Sequence, residues 1–171
     1  MRHPNALAKA HAEIDAADKE GLLSSPIKYS ETTNKLPYIS ACIKEAFRVH
    51  PSVGLSMQRH SPQGGIELAG KYIPAGYRIG MNPAVVHYDK TVFGQDSDVY
   101  RPERWLVSTE EWKAMDRNML IFGAGTRMCI GKNVRAFPYH NFVLLVTDFF
   151  RSRWLSCTHL CLRSFVISIL R

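Results

Sequence analysis

The stretch Phe122-Gly123-Ala124-Gly125-Thr126-Arg127-Met128-Cys129-Ile130-Gly131 decides how the fold of this chain is interpreted. Two glycines before the cysteine and one after it let the backbone pass close to a flat group, where a Cβ atom would clash. Arg127 offers a permanent cation and a fork of N–H donors for a carboxylate. A helix beginning just after Cys129 would favour the thiolate, which is the form of cysteine that binds metal. The pattern predicts a cysteine ligand for a flat, acidic cofactor.

The loop by itself leaves a second interpretation open, because cysteine between glycines is more often a buried small residue than a ligand. Five of its positions together resemble the haem-binding loop of cytochromes P450, namely Phe122, Gly123, Arg127, Cys129 and Gly131. In that family a cysteine thiolate ligates the haem iron. The resemblance implies heme b as cofactor, with Cys129 as the metal ligand and the other four residues as cofactor contacts.

Two further segments carry the same resemblance in the order that the family has them. Glu45-Ala46-Phe47-Arg48 is similar to the ExxR motif of the family's K helix, and Arg101-Pro102-Glu103-Arg104-Trp105 to its PERF/PERW segment. Residues 36–105 resemble most the fungal members near pisatin demethylase. The fold class implied is mainly α with a small β hairpin region (α+β). Residues 1–133 would be the C-terminal, haem-proximal part of a cytochrome P450 domain.

The residues alone say less about Glu45 and Arg48. They are three apart on a helix, so they can pair, but at 100° per residue both fall outside its apolar arc. This placement favours a solvated salt bridge, which contributes under about 1 kcal/mol. The family resemblance instead implies a buried network with Arg104 as third partner and an architectural role.

Coarse patterns divide the chain into elements. Residues 6–19 are Ala-rich and charged and predict a helix ended by Gly21, and residues 21–35 predict a polar connector. A second helix is expected from Pro37 to just before Pro51.

Farther along the chain, residues 64–81 predict β structure with two turns, and residues 82–120 match the family's irregular meander. Arg59 precedes the predicted hairpin. The resemblance implies that it bonds a haem propionate, and an ordinary surface arginine is an equally open alternative.

Composition argues against several other classes of protein. Residues 1–133 hold 17 Lys and Arg against 14 Asp and Glu, whereas residues 134–171 hold five Arg and one Asp. More than half of the net charge of +7 therefore lies in the last segment, with no basic stripe between stacking aromatics, so no nucleic acid partner is expected. No apolar run is long enough for a membrane span. Four irregularly spaced cysteines favour an intracellular, reducing compartment.

The last segment, residues 134–171, departs from the family pattern and contains no Gly, Lys or Glu. Pro138 interrupts the position where the family's long helix should follow the cysteine. We hypothesise that this tail is intron-derived, since Val-Arg can be encoded by a sequence resembling a splice site. Its uniform retention in mature transcripts would contradict this. Zinc binding by Cys157, His159 and Cys161 is disfavoured, because structural zinc needs four well-placed ligands.

Two hypotheses of function follow from the resemblance. The first is a haem-thiolate monooxygenase that takes electrons from NADPH-cytochrome P450 reductase and oxygenates a small organic substrate, as in full-length relatives anchored to the endoplasmic reticulum membrane. Four basic residues would lie near the surface that receives the reductase: Lys113, Arg117, Arg127 and Lys132. The second is a non-catalytic fragment or mis-spliced product unable to bind haem, because the family's larger N-terminal part is not present in these 171 residues.

Overall fold

The computed structural model describes residues 3–24 and 27–131. The fold is mainly helical, with two small antiparallel sheets. In these ranges the α-helices are α1 (Pro4–Lys19), α2 (Tyr29–Lys35), α3 (Pro37–Val49), α4 (Pro83–Val86), α5 (Lys90–Phe93) and α6 (Thr109–Arg117). The strands are β1 (Met57–His60), β2 (Ile66–Leu68), β3 (Lys71–Ile73) and β4 (Arg78–Met81), and two 3₁₀ helices span Pro102–Trp105 and Gly125–Arg127. No helix in the described ranges has the length and apolarity needed to span a bilayer.

Helix α1 ends as its sequence predicts. Gly21 has a φ of +66°, and its N–H donates to the carbonyl of Asp18. The N–H of Leu22 donates to the carbonyl of Ala17. These two bonds form a Schellman motif, which needs a residue in the left-handed region that glycine adopts without steric cost.

Helix α3 begins without a capping side chain of its own, because Leu36 precedes Pro37. The cap comes from α1 instead, where the two Glu13 carboxylate oxygens accept from the N–H groups of Tyr38 and Ile39 at 2.8 and 2.9 Å. Burial raises the pKa of Glu13, and these two bonds oppose the increase. The contact fixes the start of α3 against α1.

The connector expected at residues 21–35 is wrong in its second half, where α2 forms. Glu31 accepts from the N–H of Lys28 at 3.0 Å, as a residue in the third helical position does in a capping box. Ile27 and Leu36 flank the helix and are buried in one core cluster. The polar composition concealed this short helix because the apolar residues of its segment lie at its ends, while the one fully buried side chain described within it, Thr32, is polar.

The β region follows the prediction for residues 64–81 and adds one strand to it. Strands β2 and β3 pair as a hairpin in which Glu67 faces Tyr72. Ala69 and Gly70 between them have φ of +50° and +72°, the signs that a two-residue type I′ turn requires. Strand β4 pairs with β1, which the sequence patterns did not predict, and Arg59 lies opposite Ile79 in this second sheet.

Among the described residues, two core clusters both include residues of α3. The first joins α1, the segment around α2 and α3, and its fully buried members include Ile14, Ile27, Leu36 and Ile39. The second contains Ala41, Phe93, Trp105 and Met115. The region expected as an irregular meander, residues 82–120, contains three short α-helices and one 3₁₀ helix, and α6 carries a complete Ser108–Glu111 capping box. Helix α3 is therefore the central element of the described fold.

Candidate functional site

The cysteine loop is closed by its own backbone. The N–H of Cys129 donates to the carbonyl of Phe122 at 2.8 Å, and the N–H of Gly123 donates to the carbonyl of Leu120 at 3.0 Å. Gly123 and Gly125 have φ of +71° and +69°, a region that residues with a Cβ atom rarely adopt. The glycines are thus needed for the turns that return the chain to the cysteine.

The thiol of Cys129 is exposed at the surface of this loop. Its neighbours are exposed apolar side chains, with Met128 at 40% and Ile130 at 97% of full exposure. A Cβ atom at Gly131 would lie 3.6 Å from the Cys129 Sγ atom, which is ordinary van der Waals contact. Contact with the sulfur atom therefore does not by itself require glycine at position 131.

The two arginines expected at the cofactor are both exposed. Arg127 ends the 3₁₀ helix Gly125–Arg127, and Arg59 lies on β1, where its Nη1 donates to the Gln58 carbonyl at 2.9 Å. Neither forms an ion pair with any residue in the described part of the chain. Strand β1 approaches the loop, because Met57 Sδ lies 3.6 Å from the position of a Cβ atom on Gly123.

These observations fit a haem group on the loop. An exposed thiol is a donor for iron, its apolar neighbours suit a porphyrin face, and two cations without acidic partners among the described residues suit propionates. The described residues hold no cluster of three or more metal-binding side chains. Lys132 and the sequence Cys157–Cys161 that was weighed for zinc lie outside the described residues.

Glu45 is the centre of a second group of interacting residues, which is buried. Its side chain is 0% exposed, and its two oxygens receive five N–H donors. The donors are Arg48 Nε at 3.0 Å, Arg48 Nη2 at 2.8 Å, the backbone N–H of Arg101 at 3.0 Å, Arg104 Nε at 3.4 Å and Trp105 Nε1 at 2.9 Å. The carboxylate is therefore fully solvated by protein groups.

Arg48 uses all five of its N–H groups. Besides Glu45, its Nη1 donates to the carbonyls of His87 and Ser97 at 2.7 and 2.6 Å, and its Nη2 donates to that of Val99 at 3.2 Å. The side chain is 0% exposed. A guanidinium is the only side chain with enough rigidly placed donors for such a set of acceptors.

Arg104 completes the network from the 3₁₀ helix Pro102–Trp105. Its Nη1 donates to the Asp96 carboxylate at 2.9 Å and to the carbonyl of Phe93, while its Nη2 donates to the carbonyls of Asp96 and Val99. The Arg104 guanidinium also holds the pKa of Asp96 below its ordinary value, against the opposing effect of burial. Arg104 therefore connects Glu45 with the segment around Asp96.

The solvated salt bridge that the helix periodicity favoured is wrong, and the structure has Glu45, Arg48 and Arg104 together and buried. The apolar arc failed as a guide because the partners of this pair come from distant segments of the chain. The Ser97 carbonyl, for example, lies 49 residues beyond Arg48.

Sequence reasoning missed two members of this region, Trp105 and His87. Trp105 stood in the quoted motif, and an indole N–H near a buried acid was the signal for its role. His87 is 0% exposed and joins Arg48 to Leu120 through its two ring nitrogens. A single histidine in an apolar stretch gave no indication of this.

Comparison with known proteins places these residues in a family. The model of the family described as Cytochrome P450 matches residues 1–137. The chain is 47% identical over 134 residues to the cytochrome P450 monooxygenase ACRTS1 of Alternaria alternata, covering 78% of this chain and 36% of that protein. It is 49% identical over 139 residues to gsfF of Penicillium aethiopicum, covering 80% and 27%.

A third relative is the cytochrome P450 monooxygenase cicH of Emericella nidulans, 47% identical over 134 residues. That match covers 78% of this chain and 27% of cicH. The chain thus spans about a third or less of the length of these curated relatives.

Proposed function

Since the chain belongs to the cytochrome P450 family, we propose that residues 1–133 are the haem-proximal part of a haem-thiolate monooxygenase, with Cys129 as the iron ligand. The observation that carries the proposal is the exposed Cys129 thiol on a loop closed by the bond from its N–H to the Phe122 carbonyl. An exposed sulfur on a constrained backbone can meet a flat group without rearrangement of the loop.

The other loop residues have separate parts in this proposal. Arg127 and Arg59 would bond the haem propionates with guanidinium forks, while Phe122, Gly123 and Gly131 would line the approach of the ring. Bound in this way, haem would supply the oxidising chemistry that inserts one atom of molecular oxygen into a small organic substrate. The protein would set the ligand, the orientation and the access to that group.

Electrons would come from NADPH-cytochrome P450 reductase. Lys113 and Arg117 lie exposed on α6, and with Arg127 and Lys132 they would present positive charge to an acidic partner. The division of the chain at residue 133 and its placement near pisatin demethylase among fungal relatives belong to the same proposal.

A second candidate is that this polypeptide on its own does not retain haem. Not only Cys129 but also its apolar neighbour Ile130 is exposed, the latter to 97%, so the described residues cover the loop poorly. A cofactor held on one open face would exchange with solvent and with other proteins. In this candidate the network around Glu45 keeps its architectural role without catalysis.

The two candidates are separated by the spectrum of the reduced carbon-monoxide complex. The full chain, supplemented with haem and purified, should give the Soret band of thiolate-ligated iron, and Cys129→Ala should abolish it. Cys42→Ala is the matched control, because that thiol is half-buried on α3 and burial raises its pKa to about 12. Absence of the thiolate band in the wild-type chain, whether no haem is retained or haem associates only non-specifically, would support the second candidate.

A further inference from the structure

His87 is a buried imidazole to which the proposed function assigns no role. It follows helix α4 directly, and its side chain is 0% exposed. One face of the ring meets Phe93 edge-on, with ring centroids 6.4 Å apart. Its two nitrogens contact backbone groups that are far apart in sequence, those of Arg48 and Leu120.

The tautomer of His87 follows from these partners. The backbone N–H of Leu120 can only donate, and it lies 2.9 Å from Nε2, so Nε2 accepts. Nδ1 therefore carries the proton and donates to the carbonyl of Arg48 at 3.1 Å. The two residues are joined by a second hydrogen bond, in which Arg48 Nη1 donates to the carbonyl of His87 at 2.7 Å.

Hydrogen bonds, linked by the backbone of Leu120 and by the peptide group between Phe122 and Gly123, connect this imidazole with the cysteine. Leu120, whose N–H is held by His87, accepts at its carbonyl from the N–H of Gly123 at 3.0 Å. The preceding residue, Phe122, accepts from the N–H of Cys129 at 2.8 Å. Apart from the His87 ring, all of these groups belong to the main chain. Displacement of Leu120 would therefore disturb both backbone hydrogen bonds of the loop, the one from Gly123 and the one from Cys129.

We propose that His87 is a positioning residue for the Cys129 loop, which it fastens through the Leu120 N–H to the buried network of Glu45, Arg48 and Arg104. The proposal rests on the proposed function in so far as Cys129 is a ligand. The fastening itself is a property of the chain without haem. This role requires a neutral imidazole in one orientation, because Nδ1 donates to the Arg48 carbonyl on α3 while Nε2 accepts from the Leu120 N–H.

Two substitutions test separately the two hydrogen bonds of the His87 ring, the one to the Leu120 N–H and the one to the Arg48 carbonyl. His87→Gln can keep an acceptor in the place of Nε2, and His87→Asn can keep a donor in the place of Nδ1. His87→Phe removes both and leaves the Leu120 N–H buried without a partner. If His87 fastens the loop, the Asn and Phe variants lose the loop contact and the Gln variant retains it.

The measurement is backbone amide hydrogen exchange on the full chain without haem. We expect exchange at Leu120 and Cys129 to be on the order of ten- to a hundred-fold faster in His87→Asn than in the wild type. It should stay near the wild-type rate in His87→Gln. In haem-supplemented protein, the thiolate Soret band should follow the same order. His60→Asn and His60→Gln are the controls, because His60 is exposed on β1.

Several results would overturn the inference. Unchanged exchange at Leu120 and Cys129 in His87→Asn would do so, as would faster exchange at Leu120 alone. Equal acceleration of amides in α1 would show a purely structural contribution to stability and would also overturn it. If the wild-type chain gave no thiolate band, the proposed function would fail while the exchange rates still decided the role of His87. Should His87→Phe not fold, the comparison of Asn with Gln gives the answer.

Discussion

Glu45 is a carboxylate with no exposure to water, and its charge is compensated entirely by protein groups. Two guanidinium groups, a backbone N–H and an indole N–H surround it. Replacement of a complete buried network by apolar residues can be neutral, but removal of one partner leaves the others charged and unpaired. Removal of one member should therefore destabilise the protein far more than the net contribution of the whole network to stability would suggest.

Glu45→Gln keeps the shape of the side chain and removes the charge that compensates Arg48 and Arg104. We expect the free energy of unfolding to fall by about 3–5 kcal/mol, measured by urea denaturation of the full chain. Glu103→Gln is the matched control, because Glu103 is 39% exposed and pairs with Lys9 at the surface. The control should change stability by under about 1 kcal/mol, and equal losses in the two variants would contradict the prediction.

The stability of the fold should also depend on pH through His87. Burial lowers the pKa of His87 below its ordinary value of 6.5, and the nearby Arg48 charge acts in the same direction, while the bond to the Arg48 carbonyl opposes both. Below pH 6.5 the unfolded chain takes up a proton that native His87 does not. The free energy of unfolding should therefore fall as the pH decreases through this region.

Comparison with His87→Gln isolates this contribution, because the other titrating groups are common to both chains. The wild type should lose up to about 1.4 kcal/mol more per pH unit than the variant over this window. Denaturation at several pH values checks the slope, and parallel curves for the two proteins would count against a neutral, buried imidazole.

At the scale of single residues, the sequence predicted identities better than environments. Cys129, Glu45 and Arg48 stood out by motif, but their environments are opposite, since the cysteine is exposed and the ion pair is buried. Helix periodicity could not predict that burial, because the compensating carbonyls belong to segments 39 to 51 residues farther along the chain. The haem contacts of the loop residues stay predictions.

Among the elements, α6 contacts α3 through the second core cluster and also through one lysine, Lys44. Lys44 Nζ lies 3.6 Å from the centroid of the Trp112 ring, 4.9 Å from that of Trp105, and 2.6 Å from Asp116 Oδ1. Burial lowers the pKa of Lys44, and the Asp116 carboxylate opposes that shift. The ammonium group thus joins two aromatic rings and an acid at the junction of the helices.

Lys44→Met retains aliphatic packing and removes the cation. We expect a loss of about 1–2 kcal/mol in the local stability of α6, which corresponds to roughly tenfold faster amide exchange along that helix. Lys113→Met is the control, since Lys113 is exposed on α6 itself. If both variants left the exchange of α6 unchanged, the cation would not hold this junction.

The boundaries of helices and strands could be predicted where a local sequence signal, such as a glycine, a proline or a turn, marks them. Gly21, Pro37 and the Ala69-Gly70 turn each marked a boundary that the structure has. Helix α6 had a signal too, the Ser108–Glu111 capping box, which the expectation of an irregular meander overlooked. Strand β1 had none, because its four residues read as strand only once β4 is placed beside them.

The described molecule as a whole depends on α3, which contributes to both core clusters. Ile39 and Ile43 lie in the first cluster and Ala41 in the second. A helix shared in this way couples the two clusters, because neither can lose α3 without exposing apolar surface of the other. The described fold should therefore unfold in one step.

Ile14→Ala tests this coupling from the side of α1. Ile14 is 1% exposed in the first cluster, and the truncation should cost about 2–5 kcal/mol. In a Trp154→Phe background, fluorescence reports on Trp105 and Trp112, which belong to the second cluster or pack against it. Their transition should shift with that of far-ultraviolet circular dichroism, whereas an unmoved fluorescence midpoint would indicate two independent units.

The groups around the Glu45–Arg48 pair determine which of the two positions holds the negative charge and which the positive charge. Main-chain carbonyls, the negative ends of peptide dipoles, face Arg48, whereas the peptide N–H of Arg101 and the indole N–H of Trp105 present positive ends to Glu45. A reciprocal charge reversal, Glu45→Arg combined with Arg48→Glu, would turn each ion toward dipole ends of its own sign. Such an exchange can restore an exposed ion pair, but here the peptide backbone itself dictates which position holds the acid and which the base.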